Sequence, residues 1–209
     1  MVMNDERIPA GERTPPAERR DQLLLVARRI FADKGFQATT MDDIAKEAGF
    51  TKPILYQYFD SKVELYREIV NQTAEKLMSS LRVNVDAAET PRAKIEVAFR
   101  VYFEMVVSET DAFRILFLQS HEGETKGDLR AVELGWVSFM EPLIAMRIKP
   151  DHRRQLAAGV IGIAEGAATA WLIQQEGKGW PPPKPGAAER LAARTATLAW
   201  GGLRSVELD

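Results

Sequence analysis

The sequence predicts an all-α protein of about nine helices, arranged as a small N-terminal unit and a larger C-terminal unit. Apolar residues recur at helical spacing from Glu18 almost to the C-terminus, and capping residues precede many of these segments. Alternating polar and apolar residues, which are typical of half-buried strands, are almost absent. The length of 209 residues is enough to bury a core in one large domain or two small ones.

The composition is that of a soluble globular protein. Hydrophobic residues make up 45% and charged residues 28% of the sequence, as in ordinary packed domains. The absence of cysteine excludes disulfides and cysteine-ligated zinc, and it is compatible with a reducing compartment. The first residues lack the apolar core of a secretory signal. We therefore expect a cytoplasmic protein.

Four helices are predicted in the N-terminal part, over Glu18–Lys34, Met41–Glu47, Lys52–Tyr58 and Ser61–Leu81. Gly35 is expected to end the first helix, and Ser61 with Glu64 forms a capping box for the fourth. The predicted organisation is an arm over residues 1–17, a domain over 18–66, a fourth helix continuing to about 82, and a second domain over 83–209. Arg7, Arg13, Arg19 and Arg20 fit an arm that enters a minor groove, but the acidic residues among them favour a disordered tail.

Five helices are predicted in the second domain. Thr90 and Pro91 open the first of these, Thr110 caps the next, and the others span about Leu129–Leu143, Asp151–Glu176 and Ala187–Ser205. Loops are expected at His121–Gly127 and in the Pro/Gly-rich stretch over 177–186. The stretch Leu156–Ile173 is about long enough to cross a membrane. Glu165 lies in its middle, and a charge there is costly inside a membrane. We therefore favour a helix that packs against another helix of the protein.

Residues 40–59 have the pattern of two short helices joined by a tight turn. Thr40, with Asp43 three residues later, is a suitable N-cap for the first helix. Gly49 is suited to the positive φ that often ends a helix. Thr51 follows as the cap of the second helix.

The second short helix separates an apolar face from a polar one. Leu55 and Phe59, four residues apart, supply the buried side. The exposed side carries Thr51, Lys52, Tyr56, Gln57 and Tyr58. These residue types hydrogen-bond to base edges and phosphates, and the second helix of such a pair enters the major groove. Because the net charge is only −2, DNA binding must come from this local surface. A plain helical hairpin is the alternative, but it explains two exposed tyrosines poorly.

The stretch from Gln22 to Leu65 resembles the tetracycline-repressor family of bacterial regulators. Residues 40–49 match its T-x-x-x-I-A-x-x-A-G segment, and residues 55–62 match its L-Y-x-[HY]-F-x-x-K segment. The residues carrying the resemblance are Ala27, Phe31, Gly35, Thr39, Thr40, Ile44, Ala45, Ala48, Gly49, Leu55, Tyr56, Tyr58, Phe59, Lys62, Leu65 and Tyr66. Pro53 departs from the family, which often has glycine there, so the bases that are read can differ.

The resemblance implies a helix-turn-helix domain followed by a ligand-binding and dimerisation domain. By position it implies a DNA-binding surface of Thr39, Thr40, Met41, Thr51, Lys52, Pro53, Tyr56, Gln57, Tyr58 and Lys62. Among these, Thr51, Lys52, Pro53 and Gln57 would lie nearest the bases, while Thr40, Tyr56, Tyr58 and Lys62 would contact phosphate. The expected partners are a double-stranded DNA operator, a second copy of the chain and a small-molecule effector.

Small residues at helical spacing on the last two helices agree with a dimer. They are Gly159, Gly162, Gly166, Ala170, Ala192, Thr195, Ala199 and Gly202. Such residues let helices approach closely, so two copies can form a four-helix interface about a two-fold axis. Packing within one chain is the alternative.

Large apolar side chains in the middle helices are candidates for an effector pocket. They are Phe99, Tyr102, Phe103, Phe113, Phe117, Trp136, Phe139, Met140 and Trp171. Each alone fits a core position, whereas as a set they can line a cavity for a hydrophobic effector, with Tyr102 or Glu165 as a polar contact.

The resemblance thus implies a dimeric, ligand-responsive regulator, expected to be a repressor released by its effector. A ligand-binding dimer without DNA binding is the alternative. An enzyme is less favoured, because two histidines and no cysteine supply few catalytic or metal-binding groups. No catalytic residue, metal or cofactor is predicted.

Overall fold

The computed structural model describes residues 15–118, 125–144 and 147–206. Within these ranges the chain is helical and has no β-strand, which confirms the predicted fold class. Its helices are α1 Pro16–Ala38, α2 Met41–Glu47, α3 Lys52–Tyr56, α4 Lys62–Asp86, α5 Pro91–Ser108, α6 Thr110–Phe117, α7 Lys126–Met140, α8 Pro150–Glu176 and α9 Ala187–Arg204. A 3₁₀ turn, Glu141–Leu143, follows α7. Most of the predicted arm, with Arg7 and Arg13, lies outside the described residues, as does most of the predicted loop after His121.

The head of the molecule consists of α1, α2, α3 and the first turns of α4. Its centre is formed by Phe31 of α1 and Tyr66 of α4, both fully buried. Their rings meet edge to face with centroids 5.4 Å apart, the arrangement that aligns a positive ring edge with a negative ring face. Ile44 of α2 and Leu55 of α3 are also fully buried. The head is therefore a small domain with its own apolar core.

Several helix boundaries differ from the prediction. The helical geometry of α1 breaks at Gly35, where the sequence predicts its end, with a φ of +81°, but a further turn continues to Ala38. α3 ends at Tyr56 rather than at Tyr58. α4 runs beyond the predicted connector and ends at Asp86, so one continuous helix joins the head to the rest of the chain.

The predicted caps are only partly correct. The Ser61 hydroxyl accepts a hydrogen bond from the Glu64 N–H at 3.1 Å, as expected at the start of α4. The Glu64 carboxylate accepts from the N–H of Asp60 instead of that of Ser61. The prediction that Thr110 caps α6 is wrong. Thr110 is the first residue of α6, and its hydroxyl donates to carbonyl oxygens in the last turn of α5.

The body of the molecule consists of the rest of α4 and helices α5 to α9. α5 lies at its centre, in contact with α4 on one side and with α9 on the other. α9 approaches α5 closely because its buried side carries the small residues Ala192, Ala196 and Ala199. α8 packs against α7 and α9. It is long and apolar enough to cross a membrane, and 33% of that apolar window is buried within the chain.

Ion pairs join the head to the body. Glu109, at the junction of α5 and α6, accepts hydrogen bonds from Arg28 of α1 at 2.5 Å and from Lys76 of α4 at 2.6 Å. Burial alone would raise the pKa of Glu109, but the Lys76 hydrogen bond and the Arg28 charge lower it below its usual value. Arg114 of α6 pairs with Asp33 of α1 at 2.9 Å. Glu109 at the start of α6 and Arg114 in its last turn therefore hold α1 in place.

Candidate DNA-binding surface and effector cavity

The turn between α2 and α3 is fixed by local hydrogen bonds. Thr40 and Asp43 cap α2 reciprocally, since the backbone N–H of each donates to the side chain of the other at 3.1 Å. The hydroxyl and the backbone N–H of Thr40 lower the pKa of Asp43. Gly49 then turns the chain with a φ of +74°, a conformation that strains residues with a Cβ. The Phe50 N–H donates a hydrogen bond to the Ala45 carbonyl oxygen at 2.9 Å. The predicted cap and turn are confirmed.

α3 presents a polar face above a buried apolar one. Leu55 and Phe59 are buried, as predicted. The exposed residues of this face are Thr51, Lys52, Pro53, Tyr56 and Gln57. Thr51 occupies the N-cap position without a capping hydrogen bond from its side chain. Lys46 is exposed at the end of α2, so the face has basic groups and no acidic residue between Gly49 and Phe59. Such a face suits contact with phosphates and base edges.

Three predicted DNA-binding side chains do not belong to this exposed face. The side chain of Thr39 is fully buried, and its hydroxyl donates to the Gly35 carbonyl at 2.7 Å. Met41 is buried in the apolar core, and Tyr58 is half-buried against it. The prediction of side-chain contacts is therefore wrong for Thr39 and Met41, because the residues beside the Thr40 cap point inward. Thr40 itself is exposed.

Lys62, which is predicted to contact phosphate, makes hydrogen bonds within the chain. Its ammonium group donates to the carbonyl oxygens of Phe36 at 2.7 Å, Thr39 at 2.8 Å and Gln37 at 3.4 Å. It also lies 4.4 Å from the centre of the Phe36 ring, within the range of a cation–π interaction. Lys62 therefore ties the start of α4 to the end of α1.

The body has a partly open cavity of about 40 Å³ between α4, α5, α7 and α8. Five predicted ligand residues line it, namely Phe99, Tyr102, Trp136, Phe139 and Met140. Glu165, predicted as a polar contact, also lies at its wall. The aliphatic lining residues Leu77, Leu81, Ala98, Val160, Ile161 and Ala164 were missed. Nothing in the sequence separates them from core residues, because both kinds occupy apolar positions at helical spacing.

Four predicted ligand residues lie outside this cavity. Phe103 and Phe113 are fully buried core residues. The Phe113 ring stands edge-on to that of Tyr102 at 5.7 Å, so it supports the cavity wall from behind. Phe117 packs between Phe113 and Trp136, with ring centroids 5.8 Å and 6.4 Å away. Trp171 lines a separate groove beside the proline-rich turn. Phe103, Phe113 and Phe117 are therefore packing residues, and Trp171 belongs to a different groove.

Polar atoms at the cavity wall have no hydrogen-bond partner among the described residues. They are the Tyr102 hydroxyl, Trp136 Nε1 and Glu165 Oε1. Tyr102 is only 7% exposed and Trp136 only 5%. An unpaired buried polar group costs about 1–3 kcal/mol, so a site that accepts a hydrogen-bonding ligand is one physical reason for such groups to persist.

Burial also shifts the protonation of two of these groups. Burial, followed by the negative charge of Glu133, raises the pKa of Glu165 to about 7. Burial and then the Glu165 charge raise the pKa of Tyr102 well above its usual value. Near neutral pH Tyr102 therefore keeps its proton, and Glu165 is divided between its acid and its carboxylate.

The predicted dimer residues divide between an exposed and a buried set. Those on α8 are exposed, namely Gly159, Gly162, Gly166 and Ala170. At each of these three glycines, an added Cβ would meet no atom of the chain within 4 Å. On α9, Ala192, Thr195 and Ala199 are buried, and only Gly202 is exposed. The prediction is wrong for those three α9 residues, because α9 uses this face to pack against α5 within the chain.

Similar proteins are bacterial transcription regulators. The chain is 30% identical over 202 residues to the HTH-type transcriptional activator FasR of Mycolicibacterium smegmatis, a match covering 95% of this chain and 89% of FasR. It is 27% identical over 204 residues to the HTH-type transcriptional repressor KstR2 of the same species, covering 93% and 95% of the two chains. The structure of AibR in complex with isovaleryl coenzyme A and operator DNA has the same fold, with a TM-score of 0.67 at 20% identity over 86% of this chain and 97% of that one.

The match to the family pattern falls on the head. Residues 23–69 match the pattern described as bacterial regulatory proteins, tetR family. This range contains the turn at Gly49 and the exposed face of α3. The similarity to FasR extends the match through the body. The chain is therefore a DNA-binding transcription regulator and belongs to the tetR family of bacterial regulatory proteins.

Proposed function

We propose that this regulator acts in the cytoplasm as a homodimer, binds a palindromic operator and represses transcription until a small apolar effector releases it. The observation that carries the proposal is the exposed α3 face from Thr51 to Gln57, polar and free of acidic residues. We infer regulation rather than catalysis, because the relatives are named for regulation only.

The homodimer is supported by the outer surface of α8. This surface carries the exposed glycines, Ala170 and also Ile173, which is 55% exposed. Leu198 on the outer side of α9 is 64% exposed. Large apolar side chains that are exposed beside small residues favour helix packing between two copies. A dimer would also bring two α3 helices to the two halves of a palindrome.

The effector is supported by the cavity in the body. Its wall is apolar apart from Tyr102, Trp136 and Glu165, as is typical of small-molecule sites. AibR was crystallised with isovaleryl coenzyme A, so a short acyl thioester of coenzyme A is a suitable first compound for release experiments.

DNA binding is tested with a labelled duplex from the region upstream of this protein's own gene, followed by fluorescence anisotropy. Gln57→Ala should reduce the preference for this duplex over a scrambled one by about tenfold, since a base contact is worth about 1–3 kcal/mol. Tyr56→Phe should weaken binding to both duplexes alike, about threefold to tenfold, because it removes a hydroxyl at phosphate.

Gln72→Ala is the matched control, since Gln72 is exposed on α4 outside the α3 face. It should leave both affinities unchanged. If both variants on α3 bound both duplexes like the wild type, the proposed DNA-binding surface would be wrong. Repression is tested separately, because deletion of the gene should raise expression from a reporter fused to the bound region.

A further inference from the structure

We propose that the effector of this regulator carries an uncharged hydrogen-bond acceptor on an apolar skeleton, and that Tyr102 and Trp136 bind this acceptor while Glu165 excludes carboxylates. The inference rests on the proposed function in taking the ligand of the cavity as the effector. It adds the chemical class of the ligand and the residues that distinguish it.

Two hydrogen-bond donors define the class. Trp136 Nε1 can only donate, and the Tyr102 hydroxyl keeps its proton as a donor. Both atoms are buried at the cavity wall without a partner among the described residues. They come from different helices, α7 and α5, and both residues line the same cavity, so a ligand in it can offer acceptors to both donors. A ligand without an acceptor would leave both donors unpaired.

The charges around the cavity exclude an anionic ligand. Within the described part of the chain, no lysine, arginine or histidine lines it. Glu165 lies at the wall, and Glu133 on α7 adds a second negative charge close enough to act on Glu165. A carboxylate entering this apolar space would lose its hydration and meet negative charge instead of a counter-ion. An uncharged ketone, ester or amide oxygen meets neither penalty.

The size of the cavity restricts which part of the effector it holds. A volume of about 40 Å³ accommodates the acceptor group and a few carbons. Trp136 also borders a groove between α4 and α7, where Met78, Val83 and Val132 lie beside the charged residues Glu75 and Arg82. The indole therefore lies between the cavity and an outer groove of mixed polarity, along whose apolar side chains a longer skeleton can extend.

The test compares 2-heptanone with heptanoate at pH 8, using isothermal titration calorimetry on the full-length protein. The two probes have the same number of carbons, and at this pH heptanoate is ionised and Glu165 is mostly charged. The wild type should bind 2-heptanone at least about tenfold more tightly than heptanoate, because only the ketone pairs with the donors without an uncompensated charge.

Variants assign this preference to individual residues. Tyr102→Phe and Trp136→Phe should each weaken ketone binding about fivefold to tenfold. Glu165→Gln should strengthen heptanoate binding and so narrow the difference in affinity between the two probes. Phe139→Leu is the matched control, because Phe139 lines the same cavity and offers no polar atom. It should change the affinities of both probes by similar factors.

Three outcomes would overturn the inference: heptanoate binding as tightly as 2-heptanone, a preference that survives both donor variants, or no binding of either probe. Operator release is measured in parallel by anisotropy. A ketone preference without release by any ligand would contradict the effector role and leave the acceptor site standing. Release by isovaleryl coenzyme A without a preference for the ketone would support the effector role and contradict the acceptor site.

Discussion

At the scale of single residues, Lys62 shows how tertiary structure reassigns a side chain. A lysine at the start of a helix next to a DNA-binding helix has the right chemistry for a phosphate. In the structure its ammonium group is shared among carbonyl oxygens at the end of α1. Those carbonyls lie more than twenty residues away in sequence. The sequence does not indicate these carbonyl partners, because packing brings them next to Lys62, and its contact with phosphate stays a prediction.

The two roles of Lys62 predict different results for Lys62→Met, which keeps the apolar stem and removes the charge. If Lys62 supports the end of α1, the variant should lose about 1–3 kcal/mol of unfolding free energy, measured by urea denaturation. The slope of log K for operator binding against log salt should stay unchanged. A phosphate contact would instead lower that slope by about 1 and spare stability.

Lys46→Met serves as the comparison for Lys62→Met, because Lys46 is exposed at the end of α2. It should leave stability within about 0.5 kcal/mol of the wild type. A reduced salt slope for Lys62→Met, with unchanged stability, would return Lys62 to the phosphate-contacting set.

At the scale of helices, local signals in the sequence predicted the bounds of the helices better than they predicted which helices pack together. The bounds of α2 agree with the prediction, because Thr40, Asp43 and Gly49 mark its ends by interactions within the segment itself. The small residues of α9 were equally compatible with packing inside the chain or between copies. Only the position of α5 decides between these two arrangements. The aromatic residues divided between core and cavity for the same reason.

The junction of α5 and α6 gives a prediction at this scale. Glu109→Gln should lower the unfolding free energy by about 1 kcal/mol near pH 7, since it weakens partly exposed ion pairs that hold α1 and α4. The folded-state pKa of Glu109 is lowered, so its contribution is present above the unfolded pKa of about 4.3. It is lost as pH falls through the folded pKa. The gap between variant and wild type should therefore close in acid, as urea denaturation at several pH values can show.

Glu104→Gln is the matched change for Glu109, because Glu104 is exposed on the same helix and its pair with Arg100 is long at 4.0 Å. The free energy of unfolding of Glu104→Gln should equal that of the wild type at every pH. A Glu109→Gln deficit that persists unchanged in acid would mean that the ion pairs are not its source.

At the scale of the whole molecule, the head and the body are joined by a continuous α4 and by α6. Glu109 forms an ion pair with Arg28 of α1, and Arg114 forms one with Asp33 of the same helix. The Arg114 guanidinium also stacks 4.1 Å from the centre of the Trp180 ring, in the proline-rich turn between α8 and α9. A path of direct contacts therefore runs from the last two helices of the body to the first helix of the head.

The proposed dimer predicts the effect of Gly162→Leu on the outer side of α8. Leucine favours helix over glycine by about 1 kcal/mol, and the site is open in the isolated chain, so the protomer should stay folded. The added side chain should separate the two copies and raise the dimer dissociation constant at least about tenfold, since tight packing tolerates extra volume poorly. Sedimentation velocity measures the change, and operator affinity should fall with it.

Gly135→Leu on α7 provides the control for Gly162→Leu, because Gly135 is also exposed on a helix with open space around it. It should sediment like the wild type. If Gly162→Leu remained as dimeric as Gly135→Leu, the contact between copies would have to lie elsewhere.

The opposite sides of α8 have a joint consequence. Val160, Ala164 and Glu165 face the cavity, while Gly162 and Gly166 face outward. In the proposed dimer, one helix, about 10 Å across with its side chains, would be the whole thickness of protein between a bound effector and the neighbouring copy. There α8 would act as a spacer whose inner surface the effector displaces. The distance between the two α3 helices, and so the match to successive turns of DNA, would then follow the size of the occupant.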